Sequence, residues 1–125
     1  MEVEKTKKRI LIVDDDARNI FALSATLRSR KFECLSCLSA QEALDILRTD
    51  EPIDAVLIDM MMPDIDGYEA IPLIKNISSR ANTYVVSVTA QAMVGDREKC
   101  LEAGADDYIS KPVDVDKLLA SLSNI

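Results

Sequence analysis

Four acids, a hydroxyl and an amine stand directly after short strand-like runs: Asp14, Asp15 and Asp16 after "ILIV", Asp59 after "AVLI", Thr89 after "YVVSV" and Lys111 after "DYIS". Each has an ordinary use on its own. An acidic triplet caps a helix, a threonine often ends a strand, and a lysine before Pro112 can be a loop charge. Their conjunction points to chemistry, because crowded carboxylates repel and raise one another's pKa unless a cation joins them. Carboxylate oxygens with no imidazole or thiolate beside them suit a hard divalent ion, and Mg²⁺ is the one that keeps waters and awaits a phosphate. With Lys111 alongside, positive charge gathers where a phosphoryl group could sit, and Thr89 could donate a hydrogen bond to one of its oxygens. Asp59 would be the nucleophile, since in-line phosphoryl transfer depends mainly on positioning and charge neutralisation and a carboxylate can form an aspartyl phosphate. An ionised nucleophile needs no base.

Other chemistries lack their parts. The chain has no histidine, which removes a histidine base, a Ser-His or Cys-His pair and a phosphohistidine of its own. Neither Gly-x-Gly-x-x-Gly nor Gly-x-x-x-x-Gly-Lys occurs, so the common nucleotide loops are absent. "CLSC" spells a C-x-x-C at Cys34 and Cys37, but in a strand-like run, whereas redox pairs favour helix N-termini, and no second ligand pair completes a zinc site. Three cysteines give an odd count without a disulfide framework, which fits a reducing cytoplasm. Acids outnumber bases 22 to 15, a formal charge of −7 that argues against direct nucleic-acid binding and against an anionic membrane surface. The apolar part of the opening stretch is too short for a signal peptide or a membrane span, so no membrane insertion is expected.

The elements that must position these groups follow from periodicity. Strands are expected over 9 to 14, 32 to 38, 54 to 59, 83 to 89 and 107 to 110. Between and after them come helices over 17 to 30 with an Asp16 cap, and over 40 to 50 with Ser39 and Glu42 at capping-box spacing. Further helices are expected over 67 to 77, 91 to 104 ended by Gly104, and 114 to 124. Five strand-then-helix units imply an α/β sandwich, parallel strands joined by right-handed crossovers with helices on both faces. Runs such as "AVLI" and "YVVSV" suit strands buried on both sides. A chain of 125 residues is one domain, here 9 to 125 after a short tail, 1 to 8. In such a sheet the loops after the strand ends share one edge, where ligands bind.

These residues resemble the receiver domain of two-component response regulators. "ILIVDDD", "VLIDMMMPDIDGYEA", "SVTAQA" and "CLEAGADDYISKPVD" match its signatures in order and spacing, over residues 9 to 124. The resemblance implies a flavodoxin-like (βα)5 fold of strand order 2-1-3-4-5. It implies Asp59 as phosphoacceptor, Asp15 as direct Mg²⁺ ligand, Asp14 as its partner through water and the Met61 carbonyl as a further ligand. Thr89 is similar to the switch hydroxyl, Tyr108 to the switch aromatic that rotates inward, and Lys111 to the phosphate-binding amine. A cis Lys111–Pro112 bond and a small Ala90 beside the phosphate complete the pattern. Asp16 reads as a helix cap, Met60 and Met62 as loop packing, and Met61 as facing the mouth of the site. Apolar Met61 and uncharged Gln91 would orient few hydrolytic waters, which predicts a long-lived phosphate. Two positions depart from the family: Pro72 should bend or shorten the third helix, and Lys31 stands where glycine is common.

A histidine kinase or histidine phosphotransfer protein is the implied donor. No DNA-binding domain follows the last helix, so the output is expected to be a downstream protein contact or a larger protein of which this is a part. The style of the motifs is similar to receivers of hybrid histidine kinases. At 100° per residue Ile20, Leu23 and Leu27 share one stripe of the first helix, while Phe21, Ala22 and Ala25 point away beside Arg18, a candidate docking face. The competing readings are an aspartate-nucleophile phosphatase of haloacid dehalogenase type, a non-phosphorylated interaction module and a flavin carrier. The first wants a second acid where Met61 stands, the second tends to lose the acids, Thr or Lys, and the third is opposed by "DDDAR" where a phosphate loop is needed.

Overall fold

The computed structural model describes residues 7–90 and 95–125. The chain alternates β1 (Arg9–Val13), α1 (Ala17–Ser29), β2 (Glu33–Cys37), α2 (Ala40–Leu47), β3 (Ala55–Asp59), α3 (Gly67–Lys75), β4 (Tyr84–Thr89), α4 (Asp96–Ala103), β5 (Asp107–Ser110) and α5 (Val115–Leu122). All strand pairs are parallel and the order is β2-β1-β3-β4-β5. The flavodoxin-like architecture expected from the sequence is the one present.

Alternation along each strand divides the core in two. Leu11, Val13, Val56, Ile58 and Val85 face α2, α3 and α4, packing on Ala43, Leu47, Ile71, Ile74 and Cys100. Ile10, Ile12, Leu57, Val86 and Val88 face α1 and α5, packing on Leu27, Leu118 and Leu122. Both faces of the central strands are therefore dry, which is why their sequences are apolar throughout.

Caps fix where helices begin. Asp16, Ser39, Asp66 and Asp114 each accept a backbone N–H in the first turn of the helix that follows, and Glu42 returns a bond to the Leu38 N–H. Helix ends fall short of expectation. α2 stops at Leu47 rather than 50, and α3, with Pro72 inside it, stops at Lys75 rather than 77. The start expected for the fourth helix at 91 lies outside the described residues. The Lys111–Pro112 bond is cis. Gly67 is required by contact, since a Cβ there would collide with Sδ and Cα of Met60, the residue after Asp59.

Candidate functional site

The carboxyl edge of the sheet collects the polar residues singled out in the sequence. Asp14 is the first residue beyond β1 and only 3% exposed; its Oδ1 accepts the Asp16 N–H at 2.8 Å. Asp59 ends β3 at 6% exposure, with Oδ1 accepting the Met61 N–H at 2.9 Å. Asp15, on the exposed turn between β1 and α1, joins them: one carboxylate oxygen from each of Asp14, Asp15 and Asp59 lies within 4.8 Å of the others. Asp16 turns away to cap α1 through the Arg18 N–H, and the Arg18 side chain beside it holds its carboxyl below the usual range.

Lys111 reaches across from beyond β5. Its Nζ lies 3.0 Å from Asp59 Oδ2 and 3.5 Å from Asp14 Oδ2. Burial alone would pull the ammonium pKa down, but the hydrogen bond and charge of Asp59, followed by Asp14, leave it above its ordinary value. The Asp14 carboxyl is raised, first by burial and then by Asp59, against the opposing Asp16 N–H and Lys111. Thr89 ends β4, buried, and its carbonyl accepts the Lys111 N–H at 2.7 Å, which ties the lysine's backbone to the hydroxyl-bearing residue. Ala90 follows, exposed, and Gln91 lies outside the described residues.

Tyr108 pairs with Ser87 across the β4 and β5 ladder and packs half-buried on the core that faces α4. Burial, then Asp96 and Cys100, raise its phenol. Met60 and Met62 are buried while Met61 is 51% exposed. Arg18, Phe21, Ala22 and Ala25 are all exposed on α1. Beside that patch a groove of about 530 Å³ runs from Asp14 and Lys111 past Ala22, Leu23 and Val113.

Three oxygen donors, two of them desolvated and held by backbone N–H groups or Lys111, fit a small hard cation and no soft one. The C-x-x-C does not form a second centre: Cys37 is buried and its thiol is pushed up to about 11, mainly by burial, so it is inert, and both thiols are free.

Two side chains engaged by hydrogen bonds, one in this site and one at the end of α2, were not singled out from the sequence. Asn19 donates its amide to Asp14 Oδ2 at 3.5 Å. Arg80, buried, donates Nε to the Leu47 carbonyl at 2.8 Å and Nη2 to those of Thr49 and Glu51 at 2.9 and 2.6 Å. Spacing from the Asp16 cap could have placed Asn19 near Asp14, but nothing local links Arg80 to α2.

An open parallel sheet with an acidic cup, a lysine and a strand-end threonine at its carboxyl edge defines a flavodoxin-like class of α/β protein with a candidate cation site. The chain belongs to the response regulator receiver domain family, whose model matches residues 10–123. Among relatives it is 35% identical over 114 residues to the signal transduction histidine-protein kinase BarA of Escherichia coli, covering 91% of this chain and 12% of that protein. To the polar-differentiation response regulator DivK of Brucella ovis it is 31% identical over 117 residues, 94% of either chain. Its fold matches the receiver domain of a sensor histidine kinase from Pseudomonas aeruginosa, solved with a magnesium ion in its active site cleft, at TM-score 0.86 and 31% identity, covering 95% and 97% of the two chains. A response regulator receiver protein from Pseudomonas putida matches at TM-score 0.87 and 29% identity, covering 98% and 100%. Receiver domains are signalling switches rather than typical enzymes. Among the described residues no helix is long and apolar enough to cross a membrane.

Proposed function

We propose that this chain is a phosphorylation-activated switch of a two-component phosphorelay, taking a phosphoryl group from a phosphohistidine donor onto Asp59. The observation that carries the reading is the cup itself: carboxylate oxygens of Asp14, Asp15 and Asp59 within 4.8 Å of one another, with Lys111 3.0 Å from Asp59. Asp15 would hold Mg²⁺ directly, Asp14 through water, and Asp59 and the Met61 carbonyl would complete the protein ligands. The ion supplies neutralisation of the phosphoryl oxygens and of the crowded acids. Asp59 Oδ attacks phosphorus as the donor's P–N bond breaks, and the electron pair of that bond stays on the imidazole nitrogen. Lys111 leaves its carboxylate pair for a phosphoryl oxygen, and Thr89 donates its hydroxyl to another. Tyr108 then turns inward, altering the face that a downstream protein target reads. The protein acts as no other enzyme: it catalyses only its own phosphorylation and dephosphorylation. The Met61 side chain stands where a phosphatase of the rival type needs an acid.

The working unit is residues 9–125, with 1–8 as a tail, acting in the cytoplasm with a histidine kinase or histidine phosphotransfer protein as donor. Neither nucleic-acid binding nor membrane insertion belongs to the reading. Half-exposed Met61 and uncharged Gln91 give a hydrolytic water little to hold it, so the aspartyl phosphate is expected to last minutes or longer in Mg²⁺. Loss within seconds, followed by phosphate release, refutes that lifetime.

The deciding experiment is intact-protein mass after incubation with acetyl phosphate and Mg²⁺, beside Asp59→Asn and a chelator control. A single phosphoryl adduct needing both Asp59 and the metal supports the switch. No adduct, with beryllofluoride also leaving the Thr89 and Tyr108 amide signals in place, makes the chain a binding module.

A further inference from the structure

Asp14 is oriented by three donors. The Asp16 N–H holds Oδ1 at 2.8 Å, while Oδ2 faces Lys111 Nζ and Asn19 Nδ2, each at 3.5 Å. The Asp16 N–H fixes one oxygen, and the donors at Oδ2 add the second hold that steadies the carboxylate plane. Of those two, Lys111 lies nearer Asp59, at 3.0 Å, and a cation held among the acids would repel its ammonium. Asn19 would then be the side chain left at Oδ2, and it carries no charge to repel a cation.

The position of Asn19 is set by the same cap that starts the helix. It is the third residue of α1 after Asp16, whose Oδ1 accepts the Arg18 N–H. Side chains in the first turn lean back toward the helix N-terminus, and here that direction is toward Asp14. Asn19 is half-buried on the wall of the groove whose other sides include Leu23 and Val113, so its amide is partly screened from competing water.

We propose that Asn19 is a positioning residue of the cation site: its side-chain amide holds Asp14 Oδ2 in plane and so sets the affinity for Mg²⁺. This rests on the reading of Asp14, Asp15 and Asp59 as the Mg²⁺ cradle. Outer partners of metal ligands commonly change affinity by about 10- to 100-fold when removed. At 3.5 Å this contact is long, so an effect of about three- to tenfold is expected.

The test is Mg²⁺ titration by calorimetry, with backbone amide shifts, on wild type, Asn19→Ala, Asn19→Leu and Asp15→Asn. Leucine keeps the branched shape of asparagine and removes the donor. Both Asn19 variants are expected to bind Mg²⁺ three- to tenfold more weakly, with α1 amide signals away from the site unchanged. Their labelling by acetyl phosphate should be slow at limiting Mg²⁺ and restored at saturating Mg²⁺. Wild-type affinity in Asn19→Leu overturns the proposal, whatever Asn19→Ala does, because only packing would then matter. If Asp15→Asn loses Mg²⁺ while both Asn19 variants bind as wild type, the cradle stands and the positioning role falls. A wild type that binds no Mg²⁺ removes the cradle and the proposal together.

Discussion

Asp14 and Asp59 are almost out of water, and each carboxylate lies in the field of the other. Lys111 makes that arrangement tolerable, bridging the pair at 3.5 and 3.0 Å. The same ammonium is the one that would meet a phosphoryl group, so neutralising the cup and binding phosphate are alternative uses of one charge. Replacing it tests this. Lys111→Met should lower stability by about 1–3 kcal/mol in chelator, less than for a fully buried pair because the lysine keeps some solvent contact. Millimolar Mg²⁺ should recover more of the melting temperature in the variant than in wild type, because the ion there replaces a missing charge. Equal melting temperatures in chelator would mean that Lys111 does not neutralise the acids. At this scale the cup was legible: its acids, threonine and lysine each follow a strand-like run, and topology brings them to one edge. Asn19 was not, since an amide shows its direction only once the helix start is built.

Elements were legible in number, type and order, but their ends were not. α2 looks helical to residue 50, yet Arg80, thirty residues further along the chain, takes the carbonyls of Leu47, Thr49 and Glu51. Carbonyls so engaged satisfy the helix end without another turn, and a long-range donor leaves no local trace. The end of α1 shows the opposite case, a local rule broken. The Phe32 N–H reaches the Leu27 carbonyl and the Lys31 N–H reaches that of Arg28, the paired bonds of a Schellman stop. That stop places Lys31 at φ 71, where a side chain is strained and glycine is not. Lys31→Gly should therefore stabilise the protein by up to about 1 kcal/mol, or a few degrees in melting temperature. The site lies at the other end of the sheet, so labelling by acetyl phosphate should be unchanged. A fall in stability would show that the lysine side chain contributes more at the surface than its backbone loses.

Over the whole molecule the two faces of the sheet are unequally covered. α2, α3 and α4 share one side, while α1 and α5 share the other and leave the groove of about 530 Å³ open between α1 and the loop that carries Lys111. Phe21 stands on α1 at 77% exposure, with Ala22 and Ala25 also exposed and Arg18 toward the site. Small residues around one large ring leave room for a partner surface to close over it, and the groove leads from there to Asp14 and Lys111. On the proposed route a phosphohistidine would bring its phosphorus within bonding reach of Asp59, so a protein donor would have to seat against this rim, whereas acetyl phosphate would need only the cup. The two donors therefore separate docking from chemistry. Phe21→Asp should slow transfer about tenfold or more from a histidine kinase or phosphotransfer protein that labels the wild type, since losing a buried aromatic anchor costs about 2 kcal/mol at an interface. Labelling by acetyl phosphate and the melting temperature should stay at wild-type values, because the ring makes little use of the core. Equal slowing with both donors would place the effect in the cup, and no slowing with the protein donor would move the docking face off α1.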